Sequence, residues 1–188
     1  MNLVTKRKND PEGMRSRILD ATFMLFQEQG YNATSVQQIA AVAAVTGGAL
    51  HHHFPTKKAL GLAVIAERVA AAVEESWLDP VRSASSGRDG ILGVFASLAD
   101  QLDAQGSVRG CPVNNLTLEL AFADPDYRAE LHALFDRWRN TIVSKLGSGS
   151  EGLAAMVIAS YSGAMAIAKV EQRSEALRLC AKELERLL

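Results

Sequence analysis

Apolar positions recur every three or four residues along most of this chain, with polar positions between them. In residues 12–29 this spacing places Ile18, Leu25 and Phe26 on one face, which predicts an amphipathic helix that ends at Gly30. No segment of useful length alternates between apolar and polar residues as a strand would. The further helices predicted by the same spacing cover residues 36–43, 46–52, 57–77, 88–105, 112–123, 125–146, 151–171 and 173–188. The chain is therefore predicted to be all-α, with about nine helices.

Hydroxyl and proline residues mark the expected ends of the helices near the N-terminus. Thr34 and Ser35 each precede a glutamine by three positions, so either one fits the start of the second helix as part of a capping box. Thr46 is placed to cap the third helix, and Phe54-Pro55 to end it, because proline cannot continue a helix. Asp79-Pro80 is expected to end the long fourth helix in the same way.

Residues 34–60 read as two short helices, a tight turn between them and the start of a longer helix. This arrangement is typical of a helix-turn-helix DNA reader. Residues 1–60 carry seven Lys and Arg against four Asp and Glu, a net charge of +3, whereas the remaining 128 residues carry a net charge of −4. The basic end coincides with the predicted reader, as binding to a polyanion requires.

The second short helix of this unit, residues 46–52, is the one expected to enter the major groove. Gly47, Gly48 and Ala49 are small enough to let its backbone approach DNA closely. Thr46 and either His51 or His52 supply donors for phosphates and bases. Each glycine costs a helix about 1 kcal/mol relative to alanine, so two glycines here indicate a use such as this close approach.

Lys57 opens the next helix. Its charge and the unpaired N–H groups of that helix start together predict a phosphate clamp.

The segment RILDATFMLFQEQGYNATSVQQIAAVAAVTGGALHHHFPTKKAL, within residues 15–60, resembles the DNA-binding region of the TetR family of bacterial transcriptional regulators. That family's pattern, G-[YF]-x-x-[TS]-[TS]-V-x-x-I-A followed by a second run ending F-x-[ST]-K-x-x-L, is matched from Gly30 to Leu60. The residue types and the resemblance together assign DNA contact to Thr34, Ser35, Gln37, Thr46, Gly47, Gly48, Ala49, His51, His52 and Lys57. Where the family usually has tyrosines this chain has His51 and His53, and Ala44 replaces the usual glycine of the turn.

The resemblance implies a homodimer that binds a near-palindromic operator, usually as a repressor released by a small ligand. It implies a helix-turn-helix domain over residues 1–56 and a ligand-binding and dimerisation domain over residues 57–188. A competing interpretation is an all-α small-molecule-binding or scaffold protein with a degenerate helix-turn-helix, suggested by the unusually small Gly47–Ala49 surface.

Two enzyme-like features of the sequence have simpler explanations. Three adjacent histidines, 51–53, point about 100° apart on a helix and cannot converge on one metal ion. The carboxylates of Asp100, Asp103, Asp124 and Asp126 fit helix caps and solvated helix faces. The chain also lacks a nucleophile elbow, a P-loop and a dinucleotide fingerprint. We therefore predict no enzyme activity, no metal site and no cofactor.

Cys111 admits two interpretations. It lies in RGCPVNNLTLEL at a predicted helix start, a place that can lower the pKa of a thiol, and the segment resembles a G-C-P motif of a TetR subset in which some members respond to electrophiles or oxidants. The simpler interpretation, which we favour, is a small apolar residue buried at a helix start. Lys169, the lone base in an apolar run, is the candidate partner of a thiolate or of a charged ligand. The inducer is thus predicted to be a small molecule or an electrophile.

The larger domain offers further pocket candidates and a dimer surface. Phe95, Trp138 and Tyr161 are expected to be core residues first and pocket residues second. The last two predicted helices combine small residues with a leucine stripe, which favours dimerisation through them. Two cysteines are too few for a disulfide framework, and neither a signal peptide nor a membrane span is evident, so a cytoplasmic protein without membrane contact is predicted.

Overall fold

The structure, a computed structural model, describes residues 10–188. Three of the basic residues counted above, at positions 6–8, lie outside that range. The described residues form nine helices and no strand, which confirms the predicted fold class. The helices are α1 (Pro11–Gln29), α2 (Val36–Val42), α3 (Gly47–His53), α4 (57–83), α5 (Gly87–Gln105), α6 (Pro112–Leu120), α7 (Pro125–Leu146), α8 (Glu151–Glu171) and α9 (Glu175–Leu184).

Side-chain caps begin the three helices that follow α1. Ser35, not Thr34, caps α2: its hydroxyl accepts the Gln38 N–H, and the Gln38 side chain accepts the Ser35 N–H, which completes the capping box. Thr46 accepts the Ala49 N–H at the start of α3, and Thr56 accepts the Ala59 N–H at the start of α4. Each cap satisfies an N–H that the helix itself leaves unpaired.

Helix α4 continues through Asp79-Pro80, so the predicted break there is wrong. The helix contains two widened turns with π-type hydrogen bonding, Ile65–Val69 and Glu74–Leu78, and the second of them directly precedes the proline. A proline ring clashes with the carbonyl four residues earlier in a regular α-helix, and a widened turn moves that carbonyl away. The helix therefore ends at Ser83 rather than near residue 77.

Helix α6 is shorter than predicted. It ends at Leu120, whose carbonyl accepts the N–H groups of Ala123 and Asp124, and the chain then turns into α7. The side chain of Asp124 accepts the Asp126 N–H and begins α7 one residue before Pro125. A cap and a proline this close together leave no room for further turns of α6.

The core runs without a break from the N-terminal helices into the larger domain. Ile18 and Leu19 of α1 are fully buried, and Arg15 pairs with Glu67 across the contact between α1 and α4. Farther along, Trp77 lies against Trp138 with ring centroids 5.0 Å apart. Because α4 contributes to both regions, it joins the DNA-reading helices to the larger domain. The predicted domain boundary at residues 56 and 57 coincides with the start of α4 and stays a prediction.

Candidate DNA interface and ligand cavity

The turn between α2 and α3 has the conformation that a helix-turn-helix needs. Ala44 adopts a left-handed backbone with φ 53°, and the N–H of Val45 donates to the carbonyl of Ala40. Only glycine adopts a left-handed backbone without strain, which explains why glycine is the usual residue here. The turn accommodates Ala44 at some conformational cost.

The outer face of α3 is open and lined by small residues. Gly47 and Gly48 are exposed, and a Cβ atom added to either would meet nothing within 4 Å. The fold therefore has no packing need for these glycines. His51 and His52 are exposed on the same short helix, and Thr46 is exposed at its start. An open backbone with hydroxyl and imidazole groups around it suits close approach to a DNA groove.

The other predicted DNA-contact positions differ in accessibility. Gln37 and Ser35 are exposed on or beside α2, although the Ser35 hydroxyl serves as the helix cap. Ala49 is half-buried. Thr34 is only 1% exposed, and its hydroxyl donates to the Gly30 carbonyl and accepts from the Gln29 side chain. The burial corrects the prediction for Thr34, which stabilises the turn before α2 and does not face solvent.

The predicted phosphate clamp requires a free amine on Lys57, but in the structure this amine has partners within the protein. Its Nζ donates to the Tyr31 carbonyl at 2.7 Å and lies 4.2 Å from the centre of the Tyr31 ring. Burial lowers the pKa of Lys57, whereas the nearby charge of Glu119 raises it. Lys57 is therefore an internal contact between α4 and the end of α1 in this conformation, and a phosphate would have to compete with Tyr31 for it.

The three histidines do not share one environment. The rings of His52 and His53 are 5.6 Å apart and inclined at 71°, and the half-buried His53 lies beside Phe54. Within residues 10–188, no three side chains of His, Cys, Asp or Glu lie close enough together to hold a metal ion.

A cavity of about 410 Å³ lies among α1, α4, α5, α7, α8 and the start of α6. Its volume is in the range that proteins use for small ligands. The aromatic side chains of Trp77, Trp138 and Tyr161 form part of its wall, and the exposed Glu75 contributes a carboxylate. Further lining residues are Phe23, Gln27, Ala72, Val73, Ser76, Leu98, Gln101, Leu102, Gln105, Gly110, Cys111, Pro112 and Met165.

Three of the five predicted sensor or ligand residues line this cavity, and two do not. Cys111, Trp138 and Tyr161 are on its wall. Phe95 has no exposed surface and packs behind it, with ring centroids 5.7 Å from Trp77 and 6.0 Å from Tyr161. The structure thus places Phe95 in the core rather than in the pocket, because its ring is enclosed by other aromatic rings.

Lys169 is outside the cavity, on the exposed side of α8. Its Nζ lies 3.4 Å from the Asn115 amide oxygen. The groups that influence the pKa of Cys111 do not include Lys169. Lys169 therefore has no role as the partner of a Cys111 thiolate in this conformation, which corrects that expectation.

The thiol of Cys111 is buried, and burial raises its pKa. The backbone N–H groups of Val113 and Asn114, and the Tyr161 hydroxyl, act in the opposite direction but are smaller influences. The sequence position at a helix start suggested a lowered pKa, so the direction found here is the reverse. Desolvation dominates because the side chain lies almost wholly inside the protein.

Two family descriptions match this chain. Residues 18–64 match "Bacterial regulatory proteins, tetR family", and residues 88–183 match "Transcriptional regulator LmrA/YxaF-like, C-terminal domain". An HTH-type transcriptional regulator encoded in the lacX 3′ region of Lactococcus lactis is 32% identical over 173 residues, which cover 84% of each chain. This chain belongs to the TetR family.

Other relatives and solved structures agree with this membership. The HTH-type transcriptional repressor DhaR of Mycobacterium sp. (strain GP1) is 29% identical over 182 residues, covering 87% of this chain and 86% of DhaR. The regulatory protein TetR from Rhodobacter sphaeroides shares the fold with a TM-score of 0.81 at 23% identity, covering 92% of this chain and 97% of that chain. Reduced NemR from E. coli does so with a TM-score of 0.78 at 20% identity, covering 92% and 96%.

As a TetR-family member, the protein is a DNA-binding transcriptional regulator and not an enzyme. The competing interpretation, a ligand-binding or scaffold protein with a degenerate reader, is set aside. The family also has a dimerising C-terminal domain.

The C-terminal domain of this TetR-family chain leaves one face of α8 exposed. Met156, Ile167 and Val170 lie 39%, 50% and 86% exposed, and Ser160 and Gly163 lie between them at spacings of four and three residues. By length and composition α8 also resembles a membrane span, with a mean hydropathy of 1.6 over its most apolar 18 residues. Its opposite face, which includes Ala154, Val157, Tyr161 and Ala168, is buried in the core. The core therefore covers one face of α8 and leaves the apolar residues of its other face exposed.

Several residues at the site carry no sequence signal. Phe23 and Gln27 belong to α1 of the DNA-reading domain, yet they line the cavity of the larger domain. Asn115 and Glu119 of α6 bond to the end of α1 and the turn after it. These are contacts between residues 87 and 88 positions apart in the chain, which local sequence patterns do not reveal.

Proposed function

We propose that this protein is a homodimeric repressor that binds a near-palindromic operator through α3 of each protomer and is released by a small ligand. The observation that carries the proposal is the open outer face of α3, where Gly47 and Gly48 are exposed without any packing reason. Two relatives, DhaR and NemR, are named as transcriptional repressors, which supports repression over activation. Operator DNA lies in the bacterial cytoplasm, so we place the protein there.

The proposed dimer forms through α8 and α9. The stripe Met156–Ser160–Gly163–Ile167–Val170, exposed except for the half-buried Ser160, follows the alternating four- and three-residue spacing that packs one helix against another. The small residues in its middle allow close approach, and the apolar residues at its ends bury surface. Leu179 on α9 and Leu187 just after it are more than half exposed. A second copy of the chain would cover these residues by two-fold symmetry.

The proposed ligand site is the cavity walled by Trp77, Trp138 and Tyr161. Its described lining contains no Lys or Arg and one ionisable carboxylate, that of Glu75. The wall is mostly apolar and aromatic, which favours an apolar or aromatic ligand over an anion. Binding there would shift the separation of the two DNA-reading units, and couplings of this kind are typically about 1–3 kcal/mol.

Binding to the DNA upstream of the protein's own gene tests the proposed function. We expect saturable binding of a labelled duplex by fluorescence anisotropy, with affinity falling steeply as salt rises from 50 to 200 mM, because phosphate contacts release counterions. Unrelated DNA of the same length is the control. Equal affinity for both duplexes at every salt concentration would show that the protein is not an operator-specific regulator.

The position of the Cys111 thiol on the cavity wall suggests a second way to release the protein from its operator, by modification of this thiol. Burial raises the pKa of Cys111 and covers its sulfur, so we expect N-ethylmaleimide at neutral pH to modify the half-buried Cys180 well before Cys111. Peptide mass spectrometry over a time course measures both rates. Modification of Cys111 at least as fast as that of Cys180, accompanied by loss of operator binding in a Cys180→Ser variant, would favour the thiol as the sensor.

A further inference from the structure

The segment RGCPVNNLTLEL, residues 109–120, connects the cavity to the DNA-reading domain. Gly110, Cys111 and Pro112 line the cavity at one end of this segment. Beyond them, polar side chains of the segment bond to the C-terminal end of α1 and to the turn after it. Arg109 pairs with Glu28 at 3.2 Å. Asn115 and Glu119, two further polar residues of the segment, bond to Gln27 of α1 and to the turn after this helix.

Glu119 makes the most specific of these contacts. One oxygen of its carboxylate accepts the backbone N–H of Tyr31 at 2.8 Å, and the other accepts the N–H of Asn32 at 2.5 Å. Two hydrogen bonds to one carboxylate fix both its position and its orientation, and the charge strengthens each bond. Gly30 precedes them with φ 85°, and a Cβ atom there would lie 3.0 Å from Glu119 Oε2. A side chain at position 30 would therefore crowd the carboxylate.

Tyr31, the residue held by Glu119, lies where four helices meet. Its carbonyl accepts the Lys57 amine at the start of α4. Its ring packs edge-on against Phe26 of α1 at 5.2 Å and against Tyr127 of α7 at 5.5 Å. Only three residues separate Tyr31 from the cap of α2 at Ser35. The position of this turn therefore determines where α2 and α3 lie relative to the larger domain.

Helix α6 carries Glu119 and starts at the cavity wall. Its nine residues extend about 13 Å as a rigid element, so a displacement at Cys111 moves the far end as well. Gln27 of α1 also lines the cavity, and its side-chain oxygen accepts from Asn115 of α6 at 3.3 Å. A molecule in the cavity thus contacts both helices that the hydrogen bonds hold together.

We propose that Glu119 is a positioning residue for DNA binding: it fixes the turn at Tyr31 and Asn32 and thereby orients α2 and α3 on the larger domain. The inference rests on the proposed function, since operator binding is what the orientation serves. Glu119 itself does not contact DNA and acts through the turn.

Three variants test the role of Glu119 in operator binding. We expect Glu119→Ala to weaken operator affinity about tenfold, within the range that coupling between sites produces. Glu119→Gln keeps one acceptor oxygen but sets an NH2 group against the other backbone N–H, so it is expected to recover only part of the affinity. The control is Glu130→Ala, which removes an exposed glutamate of α7 and should bind as the wild type does. Wild-type protein that fails to bind the operator overturns the proposed function, whereas equal binding by wild type and Glu119→Ala overturns this inference alone.

A distance measurement separates positioning from simple destabilisation. A spin label at Ala41→Cys, an exposed position on α2, reports the distance between the two DNA-reading units when Cys111 and Cys180 are both serine. We expect Glu119→Ala to broaden that distance distribution at a temperature well below the thermal midpoints of both the variant and the control. An unchanged distribution, or a loss of affinity that only follows a lower midpoint, overturns the proposal.

Discussion

Replacing Phe95 by alanine is expected to lower the free energy of unfolding by about 3–5 kcal/mol, the usual cost of removing a buried phenylalanine. Its side chain has no exposed surface and packs edge-on against the rings of Trp77 and Tyr161. Since the rings of Trp77 and Tyr161 are held by two different helices, α4 and α8, they are expected to fill the space only in part. Chemical denaturation followed by circular dichroism measures the change.

The matched control for Phe95→Ala is Phe122→Ala. Phe122 follows α6 and is 99% exposed, so its removal creates no cavity and should change stability by less than about 0.5 kcal/mol. Similar effects of the two substitutions would contradict the assignment of Phe95 to the core. Phe95 would then again be a candidate pocket residue.

Replacing Val170 by aspartate is expected to convert the dimer to a monomer and to abolish operator binding. Val170 is 86% exposed on the stripe of α8 that we assign to the dimer interface. Two-fold symmetry places two such carboxylates in one interface, and each buried unpaired charge costs several kcal/mol. Sedimentation velocity measures the mass, and anisotropy with the operator measures binding.

The control for Val170→Asp is Met24→Asp, which puts the same charge on a 47% exposed apolar residue of α1. Because Met24 lies away from α8 and α9, this variant should remain a dimer. A Val170→Asp protein that keeps the dimer mass would exclude the exposed stripe of α8 as the interface. The apolar face of this helix would then need another partner.

The starts of the short helices were predictable because their signals are local. A capping hydroxyl bonds to an N–H three residues later, so Ser35 and Thr46 mark the starts of α2 and α3 within a few letters of sequence. The open glycines of α3 were predictable for the same reason. The choice between Thr34 and Ser35 was not, since both have the required spacing and only the burial of Thr34 decides between them.

The predictions that were wrong concern residues whose contacts come from distant parts of the chain, or a change in the backbone that leaves no pattern in the sequence. The π-type turn before Pro80 lets α4 continue where a proline normally ends a helix. The amine of Lys57 donates to the carbonyl of Tyr31 and so is directed at the protein instead of at a phosphate. The pKa of Cys111 is raised because several helices enclose it, and its place at a helix start cannot outweigh that burial.

Helix α3 is the element expected to enter the DNA groove in each half of the proposed dimer. Hydroxyl-radical footprinting of the upstream DNA tests this with wild type, Gly48→Glu and Gly93→Glu. Both glycines are exposed and helical, and a Cβ atom at either meets nothing within 4 Å, so both variants should fold. We predict two protected half-sites about 10 base pairs apart, or a multiple of that, for wild type and Gly93→Glu, and none for Gly48→Glu. The same footprint for all three proteins would contradict the account.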